Sequence, residues 1–218
     1  MHADEIRKPW LLNYTAVQRT IDDLPVEERA AFLLKELPPF WVEVYEENTG
    51  REVELYRLSS GEFQYIYEDH GALVASGRIE DDSVSESRLV AAFGRSEPAS
   101  SSRAGDDSRL KGWVGPTEKC FGKGFDKGHF MAHSIGGAVD RAEFNVFVQC
   151  RRLNRGWTDD GRRYRSIENY CQSNPGVFCF SRPFYTDVSS RPSWLEFGVL
   201  RIDGSLWVEN FDNRGAVE

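Results

Sequence analysis

Residues 121–129 read FGKGFDKGH, and this stretch decides how the rest of the chain is parsed. Gly122 and Gly124 suit a turn, because glycine adopts backbone conformations that other residues avoid. Phe125 onward then suits a strand. A short apolar run follows at Asn145 to Gln149, NVFVQ, again of strand length. Next come Leu153-Asn154-Arg155-Gly156-Trp157 and a helical pattern over Tyr164 to Gln172. The order predicts a β-hairpin followed by a helix.

Beyond this centre, strands are predicted near Val177 to Phe184 and Leu195 to Ile202, with Ser205 to Glu209 closing the sheet. Towards the N-terminus, Val17, Ile21, Leu24, Ala30, Leu33, Leu34 and Leu37 lie at helical spacing. Pro25 divides that pattern into two helices, and Pro38-Pro39 is expected to end the second. Phe40 to Glu46, Glu52 to Leu58 and Phe63 to Tyr67 read as strands separated by Asn48-Thr49-Gly50 and Ser59-Ser60-Gly61 turns, with a fourth strand over Ala72 to Ile79. From Glu80 to Lys111 the periodicity dissolves. EPASSSRAGDDSR there reads as a mobile loop, with a helical turn or two around Ser87 to Phe93, and order returns at Gly112-Trp113. The expected fold class is α+β, with an antiparallel β-sheet core and N-terminal helices. Residues 1–39 would form a helical extension and 40–218 the main domain, its motif core at 112–185.

The 218 residues carry a net charge of -8, which is unusual for a protein that binds phosphates. The distribution is uneven. Lys119 to Glu168 holds ten Lys and Arg against six Asp and Glu, net +4, whereas residues 1–118 carry -10. The basic segment coincides with the motifs, and the acidic N-terminal half could dock a basic protein partner. The opening MHADEIRKPW lacks the apolar run of a signal peptide. Nor does the chain contain the roughly 18 consecutive apolar residues of a membrane span. The expected location is cytoplasmic, or wherever a non-Sec route delivers it.

The motifs themselves carry chemistry. Metal-assisted hydrolysis needs a base to deprotonate water and a cation to stabilise developing charge. His129 suits the base, because an imidazole is substantially unprotonated near neutral pH yet accepts a proton. Asp126 or a backbone carbonyl would orient its other ring nitrogen. Asn154 offers a neutral oxygen to a hard cation such as Mg²⁺.

Asp126-Lys127-Gly128-His129, Asn145-Val146-Phe147-Val148-Gln149, Leu153-Asn154-Arg155-Gly156 and Glu168 occur in one order within a short span. They resemble the DNA/RNA non-specific endonuclease family, whose signatures are a DRGH or DGGH tetrapeptide, an NLVPQ-like segment, an LNRG or LNQG element and a glutamate on the following helix. The resemblance implies a ββα-metal (His-Me finger) fold. It further implies His129 as general base, Asn154 and Glu168 at a Mg²⁺ ion (Mn²⁺ as substitute), and cleavage of DNA, and of RNA, to a 5′-phosphate and a 3′-hydroxyl. Lys127 replaces the arginine of DRGH and keeps the charge without the planar fork. Val148 replaces a proline, and Thr158-Asp159-Asp160-Gly161 reads as an insertion that widens the spacing from Asn154 to Glu168.

Arg151, Arg152, Arg155, Arg162, Arg163 and Arg165 flank these elements as phosphate clamps or solvated surface charges, Arg155 being the favoured clamp because it adjoins Asn154. His133 reads as structural, Trp157 as packing behind the metal loop with base stacking as the second reading, and Tyr164 and Tyr170 as core. The competing functions are a catalytically inactive nucleic-acid-binding fold and a zinc-binding interaction module using Cys120, Cys150, His129 and His133. The four cysteines otherwise read as free, half-buried thiols. A protein inhibitor, if there is one, would cover the basic cleft.

Overall fold

The computed structural model of the protein describes residues 12–50, 52–69, 87–99, 123–138, 143–187 and 189–215. Helix α1 (Tyr14–Asp22) starts at Asn13, whose side chain accepts a hydrogen bond from the Ala16 N–H at 3.2 Å. Such a cap satisfies one of the amides that a helix start leaves unpaired. Helix α2 (Val26–Thr49) follows directly after Pro25 and ends at Gly50, whose φ of 74° favours glycine.

Helix α2 overturns two expectations. Pro38 and Pro39 lie within it rather than ending it, and Phe40 to Glu46 is helix, not strand. The expected boundary after residue 39 therefore falls in mid-helix. A proline inside a helix forfeits a backbone hydrogen bond and costs on the order of 3 kcal/mol. Packing offsets that loss: Leu33, Leu37, Trp41 and Tyr45 recur at every fourth position, and all four are buried. Burying each such side chain contributes about 1.5–3 kcal/mol.

The strands are β1 (Leu55–Ser60), β2 (Phe63–Glu68), β3 (Leu89–Arg95), β4 (Phe125–His129), β5 (Val146–Cys150), β6 (Phe178–Phe184), β7 (Trp194–Leu200) and β8 (Leu206–Asp212). Six of them form one sheet in the order β1-β2-β3-β6-β7-β8, antiparallel at every step, while β4 and β5 form a separate hairpin. The expected helical turn at Ser87 to Phe93 is instead strand β3. Both of its faces are buried, so it shows an unbroken apolar run in place of alternation, a pattern that strand and buried helix share. The expected strand at Ala72 to Ile79, Gly112-Trp113 and most of the expected loop lie outside the described residues.

Alternate residues of the sheet serve two cores. Ile66, Ala91, Phe93, Phe178 and Phe180 pack with Ile21, Leu33, Leu37 and Trp41 of the N-terminal helices. Phe63, Tyr65, Ala92, Cys179 and Phe197 pack with Phe147, Leu153, Tyr164 and Ile167 of the motif region. The protein is thus a mixed α+β fold in three layers: helices, antiparallel sheet, then the hairpin and its helices. A buried ion pair, Arg182 to Glu196 at 2.7 Å, crosses from β6 to β7. The Tyr14 hydroxyl of α1 donates to Glu196 and accepts from Arg182 at 3.2 Å, tying the helical layer to the sheet. Among the described residues, no helix is long and apolar enough to cross a membrane.

Candidate active site

The hairpin sets Asp126 opposite Gln149, Gly128 opposite Phe147 and His129 opposite Val146. Gly128 is there for space. A Cβ at that position would lie 2.2 Å from Oε1 and 2.6 Å from Cβ of Gln149. The glutamine side chain lies against the strand at the one point where the backbone is bare.

The short helix α3 (Arg151–Asn154) begins as soon as β5 ends. This tight connection brings Asn154 beside Asp126. The Asp126 carboxylate accepts from Arg151 Nε at 2.8 Å, Arg155 Nε at 2.8 Å, Arg155 Nη2 at 3.2 Å and Asn154 Nδ2 at 3.3 Å. Partial burial pushes its pKa up, but the hydrogen bonds from Arg155, Arg151 and Asn154 outweigh burial and hold the carboxyl below its ordinary value. Both oxygens are engaged on these three partners, and through one of them Asp126 holds the Asn154 amide. With its nitrogen donated to Asp126, the Asn154 amide turns its oxygen away from that carboxylate.

Helix α4 (Asp159–Ser173) starts at Thr158, whose hydroxyl accepts from the Gly161 N–H at 3.1 Å. Thr158 to Gly161, read from the sequence as an insertion, is the cap and first turn of this helix. Asp159 and Asp160 sit where negative charge complements the helix dipole. Tyr164, Ile167 and Cys171 form the buried face of α4, and Glu168 is half-buried next to it.

A polar cleft of about 240 Å³ opens between these elements. His129 enters its wall from the end of β4, Gln149 from β5 and Asn154 from α3. Arg165, Glu168 and Asn169 enter from α4, and Ala132, His133 and Ser134 complete the lining. The Nε2 atom of His129 is buried. Burial pushes the Glu168 carboxyl up to about 7, against the opposing effect of the Arg165 charge. Arg165 directs Nε and Nη2 at the Asn154 carbonyl oxygen, at 3.3 and 3.2 Å.

The cleft therefore brings together His129, Asn154 and Glu168 but not Lys127 or Arg155, which are absent from its wall. Lys127 stands opposite Val148 in the hairpin. Arg155 is bonded to Asp126, with its guanidinium carbon 5.3 Å from the centre of the Trp157 ring. His133, read as structural, lines the cleft four residues after His129, a spacing visible in the sequence. Gln149 ends the NVFVQ element and Asn169 follows Glu168, positional signals to which the sequence reading attaches no role; Arg165, at i−3 from Glu168, is one of the six candidate clamps. Trp157 departs from its expected packing role, being 59% exposed.

The flanking arginines sort by partner. Arg151 and Arg155 pair with Asp126, Arg162 with Asp159, and Arg163 with Asp160 and Glu209. Arg165 meets a neutral carbonyl, and the exposed Arg152 has no acidic partner among the described residues. For a metal, the cleft offers hard oxygen donors, the Asn154 amide and the Glu168 carboxylate, which suit Mg²⁺. A cation beside Glu168 would favour the charged form that burial disfavours. Among the described residues there is no group of three or more His, Cys, Asp and Glu able to hold a metal. Cys150, Cys171 and Cys179 are buried free thiols, and Cys120 lies outside the described residues.

No protein-family model matches the sequence, and no curated protein matches it. Among solved structures, the chain is similar to one described as Sda1 nuclease with bound zinc ion. That match has a TM-score of 0.36 and 16% identity, and it covers 76% of this chain and 85% of the other. So distant a likeness carries no argument about residues or activity.

Proposed function

We propose that this protein is a metal-dependent, sugar-non-specific endonuclease that hydrolyses phosphodiester bonds in DNA and RNA, on a ββα-metal hairpin-and-helix motif. One observation carries the reading. His129, Asn154 and Glu168 come from three elements separated in the chain, and they line one polar cleft of about 240 Å³. Those residue types match the needs of the reaction: a neutral-pH base and hard oxygen donors for a cation.

In this mechanism the His129 imidazole accepts the proton of the water that attacks phosphorus. The bond from phosphorus to the 3′-oxygen breaks, leaving a 5′-phosphate and a 3′-hydroxyl. Asn154 and Glu168 would hold Mg²⁺, or Mn²⁺ in its place, which when bound supplies charge stabilisation to the departing oxygen. Asp126 fixes the Asn154 amide through its nitrogen, and Arg155 and Arg151 hold Asp126 in turn. Arg165, on the cleft wall, attracts the substrate phosphate. Lys127 adds positive charge from the hairpin.

The test is digestion of plasmid DNA and single-stranded RNA by the purified protein with Mg²⁺, Mn²⁺ or EDTA, alongside His129→Ala. The expected result is metal-dependent cutting of both substrates, reduced in the variant by about 10²- to 10⁴-fold with its circular dichroism unchanged. Wild-type cutting by His129→Ala would overturn the mechanism. Absence of cutting under every metal would favour the binding-only fold.

A further inference from the structure

We infer that Trp157 is a stacking platform for an unpaired base of the substrate, so that the cleft takes single-stranded nucleic acid in preference to duplex. The inference rests on the nuclease reading of the adjoining cleft and names its substrate class. Trp157 is the third residue after Asn154 in the chain, and the intervening Gly156 has a φ of 69°. That conformation, strained for other residues, turns the chain so that the Trp157 N–H bonds back to the Arg152 carbonyl at 3.0 Å. The backbone that carries the indole is thereby fixed to α3, the element that carries Asn154.

The side chain is nevertheless 59% exposed. Large aromatic side chains dominate cores, so one held out in solvent beside a polar cleft is an exception with a cost. Among the described residues the ring meets Arg155, at 5.3 Å, and Arg155 is itself pinned to Asp126 by bonds of 2.8 and 3.2 Å. Arg152, whose carbonyl accepts from the Trp157 backbone N–H, carries a cation with no acidic partner among the described residues. A flat apolar ring and an uncompensated cation carried on one short segment match a nucleotide, which offers a π-face and a phosphate. A base within a duplex already has neighbours on both faces, whereas an unpaired base can turn onto the ring. Stacking on an indole does not read sequence, so the platform would add affinity without base preference.

The experiment uses His129→Ala in EDTA, so that nothing is cut. Indole fluorescence is followed during titration with a short oligothymidylate, and affinity is compared with that for a duplex of the same length. Expected are quenching that Trp157→Phe removes, and single-strand binding roughly tenfold weaker in Trp157→Ala, with partial rescue by Phe. Duplex binding should fall less than single-strand binding. Equal losses for both substrates, or an unchanged affinity, would overturn the inference; in the latter case the indole would be left for a protein partner. Quenching by a protein that cuts nothing would separate this inference from the nuclease reading, and cutting without quenching would do the reverse.

Discussion

Asn154 gives its amide nitrogen to the Asp126 carboxylate at 3.3 Å, and that bond joins the two halves of the candidate site. Asp126 belongs to the hairpin and Asn154 to the helix after it, so their contact sets the amide's orientation and keeps its oxygen for a ligand. The carboxylate can do this because Arg151 and Arg155 hold it ionised and in place.

Asp126→Asn should therefore weaken metal affinity more than it slows the chemistry. Loss of a residue that orients a metal ligand typically lowers affinity by about 10- to 100-fold. The expected result is a rise of that order in the Mg²⁺ concentration needed for half-maximal cutting, with much of the rate regained at saturation. A lowered plateau with unchanged Mg²⁺ dependence would contradict the positioning role.

The Glu168 carboxyl, raised from 4.5 to about 7 by burial, makes a prediction about stability and pH. Its charged form is disfavoured in the folded protein, so folding binds this proton more tightly than the unfolded chain does. In EDTA the contribution is fully present below about pH 4.5 and declines as pH rises towards 7. Glu168→Gln should remove that decline. Thermal melts of both proteins in EDTA across this window measure it, and parallel curves would refute the assignment.

Gly128→Ala should destabilise the hairpin by about 1–3 kcal/mol, since the new methyl would overlap the Gln149 side chain. Shortening the obstacle in a Gly128→Ala, Gln149→Ala double variant should recover part of the loss. Urea denaturation of the single and double variants would show the coupling, and strict additivity would argue against it.

Glu196→Gln leaves Arg182 charged and buried without its counter-ion, a change that typically costs about 3–5 kcal/mol. The loss should appear in chemical denaturation, with cutting by the surviving folded protein little changed because neither residue lines the cleft.

The site was more legible in the sequence than the N-terminal half. Asp126, His129, Asn154 and Glu168 sit in short local motifs whose order survives folding, and β4, β5 and α4 lie close to their expected places. Helix α2 was misread because Pro38-Pro39 is a local stop signal overruled by the burial of Trp41 and Tyr45 on a sheet formed by strands far along the chain. Strand β3 was misread because burial on both faces erases alternation. The exposure of Trp157 and the choice of Arg165 over Arg155 at the cleft were illegible for a different reason. Each depends on which neighbouring partner wins a side chain, and the spacing of Arg155 from Asp126 does not reveal that competition.

The bond from Tyr14 to Glu196 has a bearing on how the molecule comes into being. Helices α1 and α2 precede in the chain every strand they cover, and β6 and β8 follow them only after a long stretch of other elements. Until β6 and β7 are made, Trp41 can meet Phe93 of β3 but not Phe180, and the Tyr14 hydroxyl has no carboxylate. The nascent chain must therefore carry a helical layer that is only partly covered, and its last core contacts form only once β6 to β8 have been made, which favours late and cooperative folding.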